Sequence, residues 1–233
     1  TAQLKNATSS LSLGVSRNET DGFNVIANPE SVDYNADDDG FKSTNASLAL
    51  QHKLSDSLSA GLSALYTDST TDIDSAGNAF PNAYSDQKNG SANAYLQYET
   101  PLTVSKLSYG QSIDKSTSHD ANSINYQEGS QYDTTQEQAR LETSINAQPG
   151  TVIVGAEWLS QKLDASDVLD FSGYPDPAVQ TPYDPDDRTV KSAFVGYQLA
   201  DTYYDLQANY RLDDNSQYGN ESTYNLGAAI RPL

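Results

Sequence analysis

The sequence predicts an all-β chain, an antiparallel transmembrane β-barrel wall of about ten strands. Three observations carry that expectation. Apolar and polar residues alternate along successive stretches, the apolar sets carry no charge, and the connections between stretches are alternately short and long. Period-two alternation belongs to a strand, because successive side chains leave it on opposite faces.

From Ser43 to Leu54, Thr44, Ala46, Leu48, Leu50 and Leu54 fall on one face, with Asn45, Ser47, Gln51 and Lys53 on the other. The pattern recurs in Leu58, Ala60, Leu62, Ala64 and Tyr66, and in Ala92, Ala94, Leu96 and Tyr98. Later sets are Ala139, Leu141 and Ile145, then Val152, Val154, Ala156 and Trp158. The last three are Ala193 to Leu199, Leu206 to Leu212 and Tyr224 to Ile230, each at every second position. Opposite faces carry residues such as Gln138, Arg140, Glu142 and Asn146. A soluble sandwich also alternates, so the connections must discriminate.

Short turns are expected near Lys5-Asn6, Ser55-Asp56, Thr100-Pro101, Gln148-Pro149-Gly150 and Ala200-Asp201. Long polar connections are expected near 21–40, 70–87, 115–133, 164–187 and 213–220. Compact soluble domains rarely hold several connections of that length, whereas outer-membrane barrels have tight turns at one end and long loops at the other. Tyr98, Tyr197 and Tyr204 lie near the short turns, while Tyr66, Tyr210 and Trp158 lie nearer the long loops. Two aromatic belts are the expectation, since a tyrosine ring is apolar and its hydroxyl wants a polar partner.

Mean hydropathy is -0.65 and no run reaches the roughly 20 apolar residues that a membrane helix needs. A barrel strand escapes that test because only half of its residues face lipid. The net charge of -19 argues against nucleic acid as a partner, and the absence of cysteine fits a bacterial envelope protein.

The negative charge is concentrated in the long connections. The first holds Asp21, Glu30, Asp33, Asp37, Asp38 and Asp39, the second Asp72, Asp74 and Asp86, and the fourth seven further aspartates among prolines. Crowded carboxylates repel unless they are solvated or bridged by a hard cation, and Ca²⁺ takes oxygens from such loops. Asn35, Asp37, Asp39 and Gly40 carry alternate oxygen ligands before a glycine turn, half of a calcium loop. The one candidate catalytic pair is His119-Asp120, which reads as an exposed polar loop. His52 reads as an interfacial residue near a short turn. A rim hydrolase, a small self-contained porin and a secreted calcium-dependent adhesin are the competing classes, and no nucleophile elbow, phosphate loop or zinc spacing supports an enzyme.

Thr1 to Leu4 reads as the tail of an earlier strand, and Leu233 falls where another short turn is due, so residues 1–233 are expected to be part of a larger barrel.

Several stretches resemble the barrel of TonB-dependent outer-membrane cobalamin (vitamin B12) transporters. They are Gly22-Phe23-Asn24-Val25-Ile26, Asp37-Asp38-Asp39-Gly40-Phe41, Asp68 to Asp74, Val154-Gly155-Ala156-Glu157-Trp158, and Arg211 with Asp213 to Gly219. The resemblance implies a 22-stranded barrel in the bacterial outer membrane, with a plug and C-terminal strands outside this chain. It further implies a corrinoid ligand, one or two Ca²⁺ ions ordering the outer loops, and energy from an inner-membrane complex acting through the plug. By position, the implied calcium ligands are Asn24, Asn35, Asp37, Asp39, Asp74 and Asp86, with Asn24 where the family usually has Asp and Ile73 where a tyrosine commonly adjoins. Ser75 and Thr135 are placed near the corrin ligand by the same resemblance.

Overall fold

The computed structural model describes residues 1–75, 82–120, 129–166, 168–170, 179–181 and 185–231. Its principal sheet has eleven antiparallel strands, each bonded to the next in chain order. These are β1 (Ala2–Lys5), β2 (Ser9–Phe23), β3 (Asp39–Lys53), β4 (Leu58–Asp72), β5 (Tyr84–Glu99), β6 (Thr103–His119), β7 (Ser130–Ala147) and β8 (Gly150–Ala165). After a small separate hairpin of β9 (Val168–Asp170) and β10 (Val179–Thr181) come β11 (Arg188–Ala200), β12 (Tyr204–Asn215) and β13 (Gly219–Ile230). No described residue is helical.

All five expected short turns are present, and β1 pairs Ala2 to Lys5 with Leu13 to Ser10. Two long connections differ from expectation. The fifth is a tight turn over 216–218, closed by Gly219 at φ 79° and by Asn215, whose side-chain oxygen accepts from the amides of Gln217 (3.0 Å) and Tyr218 (3.3 Å). A polar composition therefore marked a turn there, since Asn supplies its own local bonds. The fourth contains the β9–β10 hairpin. Elsewhere the strands run farther than expected: β4 has 15 residues and β7 has 18. At about 3.3 Å per residue and a tilt of about 40°, 15 residues rise about 38 Å, well beyond an apolar band about 25 Å tall. The polar outer ends are thus strand that projects past the membrane.

The register brings the apolar sets onto one face. Leu11, Leu50 and Leu62 are consecutive partners across β2, β3 and β4, as are Leu96, Leu107 and Leu141 across β5, β6 and β7. Val154, Val195 and Tyr210 continue across β8, β11 and β12. One pairing row starts at Leu58, the first residue of β4, and passes Tyr98, Ser105, Thr143, Val154 and Val195 to reach Tyr210, the seventh of β12. A row that climbs in this way is the stagger of tilted barrel strands. The two hydroxyls on that row, Ser105 and Thr143, bond each other at 2.9 Å, so neither is left unsatisfied in lipid.

No hydrophobic core lies within the sheet. Among the described residues Ala83 is the one buried apolar side chain, while Leu62, Leu96, Leu107, Leu141 and Val195 are exposed. An apolar face this extensive has no place in water and is the face that lipid covers. The other face is polar: Arg140, Glu157 and Arg211 stand on it, and the Tyr95 ring, seated over Gly61, carries the Lys106 ammonium 4.5 Å from its centroid.

Candidate functional site

Five of the six implied calcium residues lie near where β2 hands over to β3. A register shift between Thr20 and Phe23 marks a bulge, and Gly22 takes φ 75° there, where any Cβ would collide with the Asp39 carbonyl. Glycine permits that close backbone approach. The chain then leaves the sheet with Asn24 beside the returning segment. The Asn24 side-chain amide donates to the Asn35 carbonyl, the Asn35 amide donates to Asp37 Oδ2 at 2.9 Å, and the Val25 backbone N–H donates to Asp39 Oδ2 at 2.8 Å. From the next loop, anchored by the Ile73 N–H to the Ala83 carbonyl at 3.0 Å, Asp74 enters the group.

Asp74 is the informative member. Both its carboxylate oxygens, and Oδ1 of Asn24, are buried without a hydrogen-bond partner. Burial raises the Asp74 pKa above its ordinary 3.8, and the nearby Asp39 and Asp37 charges raise it further. The backbone amides of Ile26 and Asn35 pull the other way without reaching hydrogen-bonding geometry. Orphaned buried oxygens carry a free-energy cost that a cation or a proton relieves. Such an all-oxygen set fits Ca²⁺. Among the described residues, however, no three acidic or histidine side chains converge closely enough to hold a metal ion in this arrangement, so binding would require the two loops to draw together.

Of the six implied ligands, Asn24, Asn35, Asp37, Asp39 and Asp74 belong to this neighbourhood. Asp86 stands apart on β5, accepts from the Thr70 hydroxyl at 2.6 Å, and is not among the charges that act on Asp74. Ser75 is buried beside Asp74. Thr135 pairs with Ile113 and Lys162, on the same face as Tyr66 and Leu141. Because side chains alternate strictly along a strand, that register puts Thr135 on the outward face of the wall.

His119 is buried, its ring stacked on Tyr84 with centroids 4.4 Å apart, in place of the exposed loop residue expected. His52 is at the inner end of the lipid-side register, as expected, with Nδ1 2.8 Å from the Ser9 hydroxyl.

The polar face holds a network that the sequence did not single out. Arg140 bonds Glu142 (2.5 Å) and Glu157 (3.1 Å), and Arg211 bonds Glu157 (2.8 Å) and Asp213 (2.8 Å) while donating to the buried Ser192. Arg140 also lies 4.7 Å over the Phe194 ring. Its members come from β7, β8, β11 and β12, and only their position on the polar register of each strand could have flagged them.

No family model matches the chain. Among solved structures, the siderophore receptor PirA from Acinetobacter baumannii matches with a TM-score of 0.73 and 17% identity over 97% of this chain and 36% of that one. PirA from Pseudomonas aeruginosa matches at 0.68 and 14% over 98% and 35%, and the ferric enterobactin receptor PfeA of the same organism, as its G324V mutant, at 0.72 and 12% over 98% and 38%. This chain therefore spans little more than a third of the length of the proteins it matches. Identities this low bear on the fold alone, and the fold is that of the wall of an outer-membrane β-barrel.

Proposed function

We propose that the chain forms part of the barrel of a TonB-dependent outer-membrane receptor, an active transporter for cobalamin or a related corrinoid whose outer loops are ordered by calcium. The observation that carries the calcium part is the set of orphaned buried oxygens on Asp74 and Asn24, beside Asp37 and Asp39. Ca²⁺ held by Asn24, Asn35, Asp37, Asp39 and Asp74 would relieve those oxygens and fix the loops between β2 and β3 and between β4 and β5. Ligand would then bind to a preordered surface, so ion and ligand support each other by mass action.

The barrel part rests on the two free edges of the sheet. β1 covers β2 only as far as Leu13, and the far edge of β13 has no partner among the described strands. Unpaired N–H and C=O groups cost several kcal/mol each in hydrocarbon, so the wall is completed by further strands. A plug within the barrel, and an inner-membrane energy-coupling complex acting on it, complete this reading. The part assigned to the present chain is wall and loop, without catalysis.

A second reading keeps the transporter and changes the cargo. Two of the solved structures above are titled siderophore receptors and a third is a ferric enterobactin receptor. Another, matching at a TM-score of 0.61 and 13% identity over 96% of this chain and 38% of its own, is titled a copper transporter, OprC. A metal chelate other than a corrinoid is consistent with those neighbours. An adhesin fits less well, since it would need both sheet faces polar.

Calorimetry on the intact protein separates these readings. Cyanocobalamin should bind with calcium present and weaken at least tenfold with chelator or in Asp74→Ala. Binding of a ferric siderophore in its place would transfer the assignment to the second reading, and binding indifferent to chelator would remove calcium from either.

A further inference from the structure

The polar face of the wall is charged unevenly. On β7, β8 and β12, Arg140, Glu142, Glu157, Arg211 and Asp213 are bonded to one another. On β1 to β6 the inner end of the same face holds Lys5, Lys53 and Lys106, against Glu99 on the strands and Asp56 in a turn. Glu99 accepts from the Gln97 amide at 2.6 Å, and Glu142, directly opposite Lys106, is held by Arg140. Lys106 turns instead to the Tyr95 ring, and among the described residues neither it nor Lys5 has an ion pair. An acidic chain thus keeps a small positive surplus at this one end of its polar face.

One pairing row runs from Lys5 through Ser10, Gln51 and Gly61 to Tyr95, across β1 to β5. Three strand spacings, about 14 Å, separate Lys5 from Gly61. The Tyr95 ring lies back over Gly61, so its hydroxyl and the Lys5 side chain face each other along the row. Between them is a hollow of about 460 Å³, lined by Lys5, Ser10, Ser12, Gln51, Ser63 and Tyr95 and by no carboxylate. Tyr95 is the only β5 residue that lines it, which puts the hollow on the face its ring occupies. Among the described residues the Ser10, Ser12, Ser63 and Tyr95 hydroxyls and the Gln51 amide have no side-chain hydrogen bond, so all remain open to a ligand. Several neutral donors and an ammonium group around one hollow suit an oxyanion, whose oxygens accept many such bonds at once.

We propose that this hollow binds the phosphate ester of the transported ligand, with Lys5 and the Tyr95 hydroxyl as its principal donors. A corrinoid that carries its nucleotide has one such phosphodiester, so the inference deepens the corrinoid reading and rests on it. The hollow is at the short-turn end of β2, and the Asp74 group is at the other end. The ligand therefore meets the calcium-ordered loops first and this site afterwards.

Ser63→Cys, in a chain that has no cysteine, places a thiol in the hollow of the intact protein. Its labelling in vesicles by anionic and cationic methanethiosulfonates, each rate divided by that with a free thiol, reads the local charge. The anionic reagent should be favoured at least about tenfold, and Lys5→Gln with Lys106→Gln should remove most of that preference. Ser91→Cys, higher on the same face, should show none. Cyanocobalamin should slow labelling of Ser63→Cys by about fivefold or more, and cobinamide, which lacks the phosphodiester, should not. Tyr95→Phe, which keeps the ring over Gly61, should lose the protection while heat-modifiable migration shows a folded barrel. Equal rates for the two reagents, absence of labelling, or equal protection by the two corrinoids overturns the proposal. Protection by millimolar inorganic phosphate and not by cyanocobalamin overturns the cargo as the source of the anion. Calorimetry on the same samples reads binding at the outer loops. Intact cyanocobalamin binding without protection sinks this inference alone, and no cyanocobalamin binding sinks the corrinoid reading with it.

Discussion

Arg211 reaches across an entire strand to Glu157: its Nη2 lies 2.8 Å from Glu157 Oε1, although β11 separates their two strands. Arg140 meets the other oxygen of the same carboxylate at 3.1 Å, so Glu157, which is only 9% exposed, ties its own strand β8 to β7 and, across β11, to β12. Replacing it leaves two guanidinium groups facing each other. Glu157→Ala should lower the stability of the folded barrel by about 1–3 kcal/mol, the range for charge-assisted bonds at a partly exposed site. Glu19→Ala, which loses only exposed pairs, should cost less than about 1 kcal/mol. Urea titrations of vesicle-inserted protein, read by heat-modifiable migration, compare the two. Equal losses would show that the network adds nothing beyond surface pairing.

The face assignment has its own test. Leu62 and Leu96 lie on the charge-free register, whereas Ser63 and Gln97 lie one residue away on the polar side. Arginine at Leu62 or Leu96 should cost on the order of 2–4 kcal/mol in a bilayer, and at Ser63 or Gln97 much less. The measurement is folding efficiency into lipid vesicles. Similar effects at adjacent positions would remove the lipid face.

Two glycines lie under aromatic rings and should not respond alike. At Gly61 a new Cβ meets only the distal ring atoms of Tyr95, which a side-chain rotation moves away. At Gly155 it meets the Phe194 ring and also the Leu141 carbonyl oxygen at 2.7 Å, and backbone cannot rotate aside. Gly155→Ala should therefore cost about 1–3 kcal/mol and Gly61→Ala roughly 1 kcal/mol or less. The same urea titrations rank them, and the reverse order would contradict the packing described.

Calcium binding should release a proton. Asp74 is raised from 3.8 by burial and by Asp39 and Asp37, so the folded loop binds a proton more tightly than the unfolded chain does. Without calcium, the stability from that proton is full below the ordinary value and is lost as pH rises through the raised one. An ion that replaces the proton must then bind more tightly as pH rises over the same window. Calorimetry in buffers of differing ionisation enthalpy should detect proton release there, and Asp74→Asn should remove it. Calcium affinity that is flat across the window would exclude Asp74 as a ligand.

The alternation of residues such as Leu58 to Tyr66 and Ala92 to Tyr98 determined the strands, their inner turns and the lipid face from sequence alone. One-sided burial forces a period of two, and a one-residue slip would turn every leucine into the lumen. Composition likewise located the acidic loops. Tertiary structure decided what depends on register and on strands far apart in the chain. It joined Asp74 to Asp37 and Asp39 from different loops, set Asp86 apart on β5, put Thr135 on the outward face, and brought Glu157 within reach of Arg211 over 54 residues. It also set Lys5 and Tyr95 on one pairing row, an alignment fixed by the stagger of β1 to β5. Local pattern specifies which face a residue takes, because alternation is a property of a single strand. Which residues meet across that face is set by the offset between strands, and no single strand contains it.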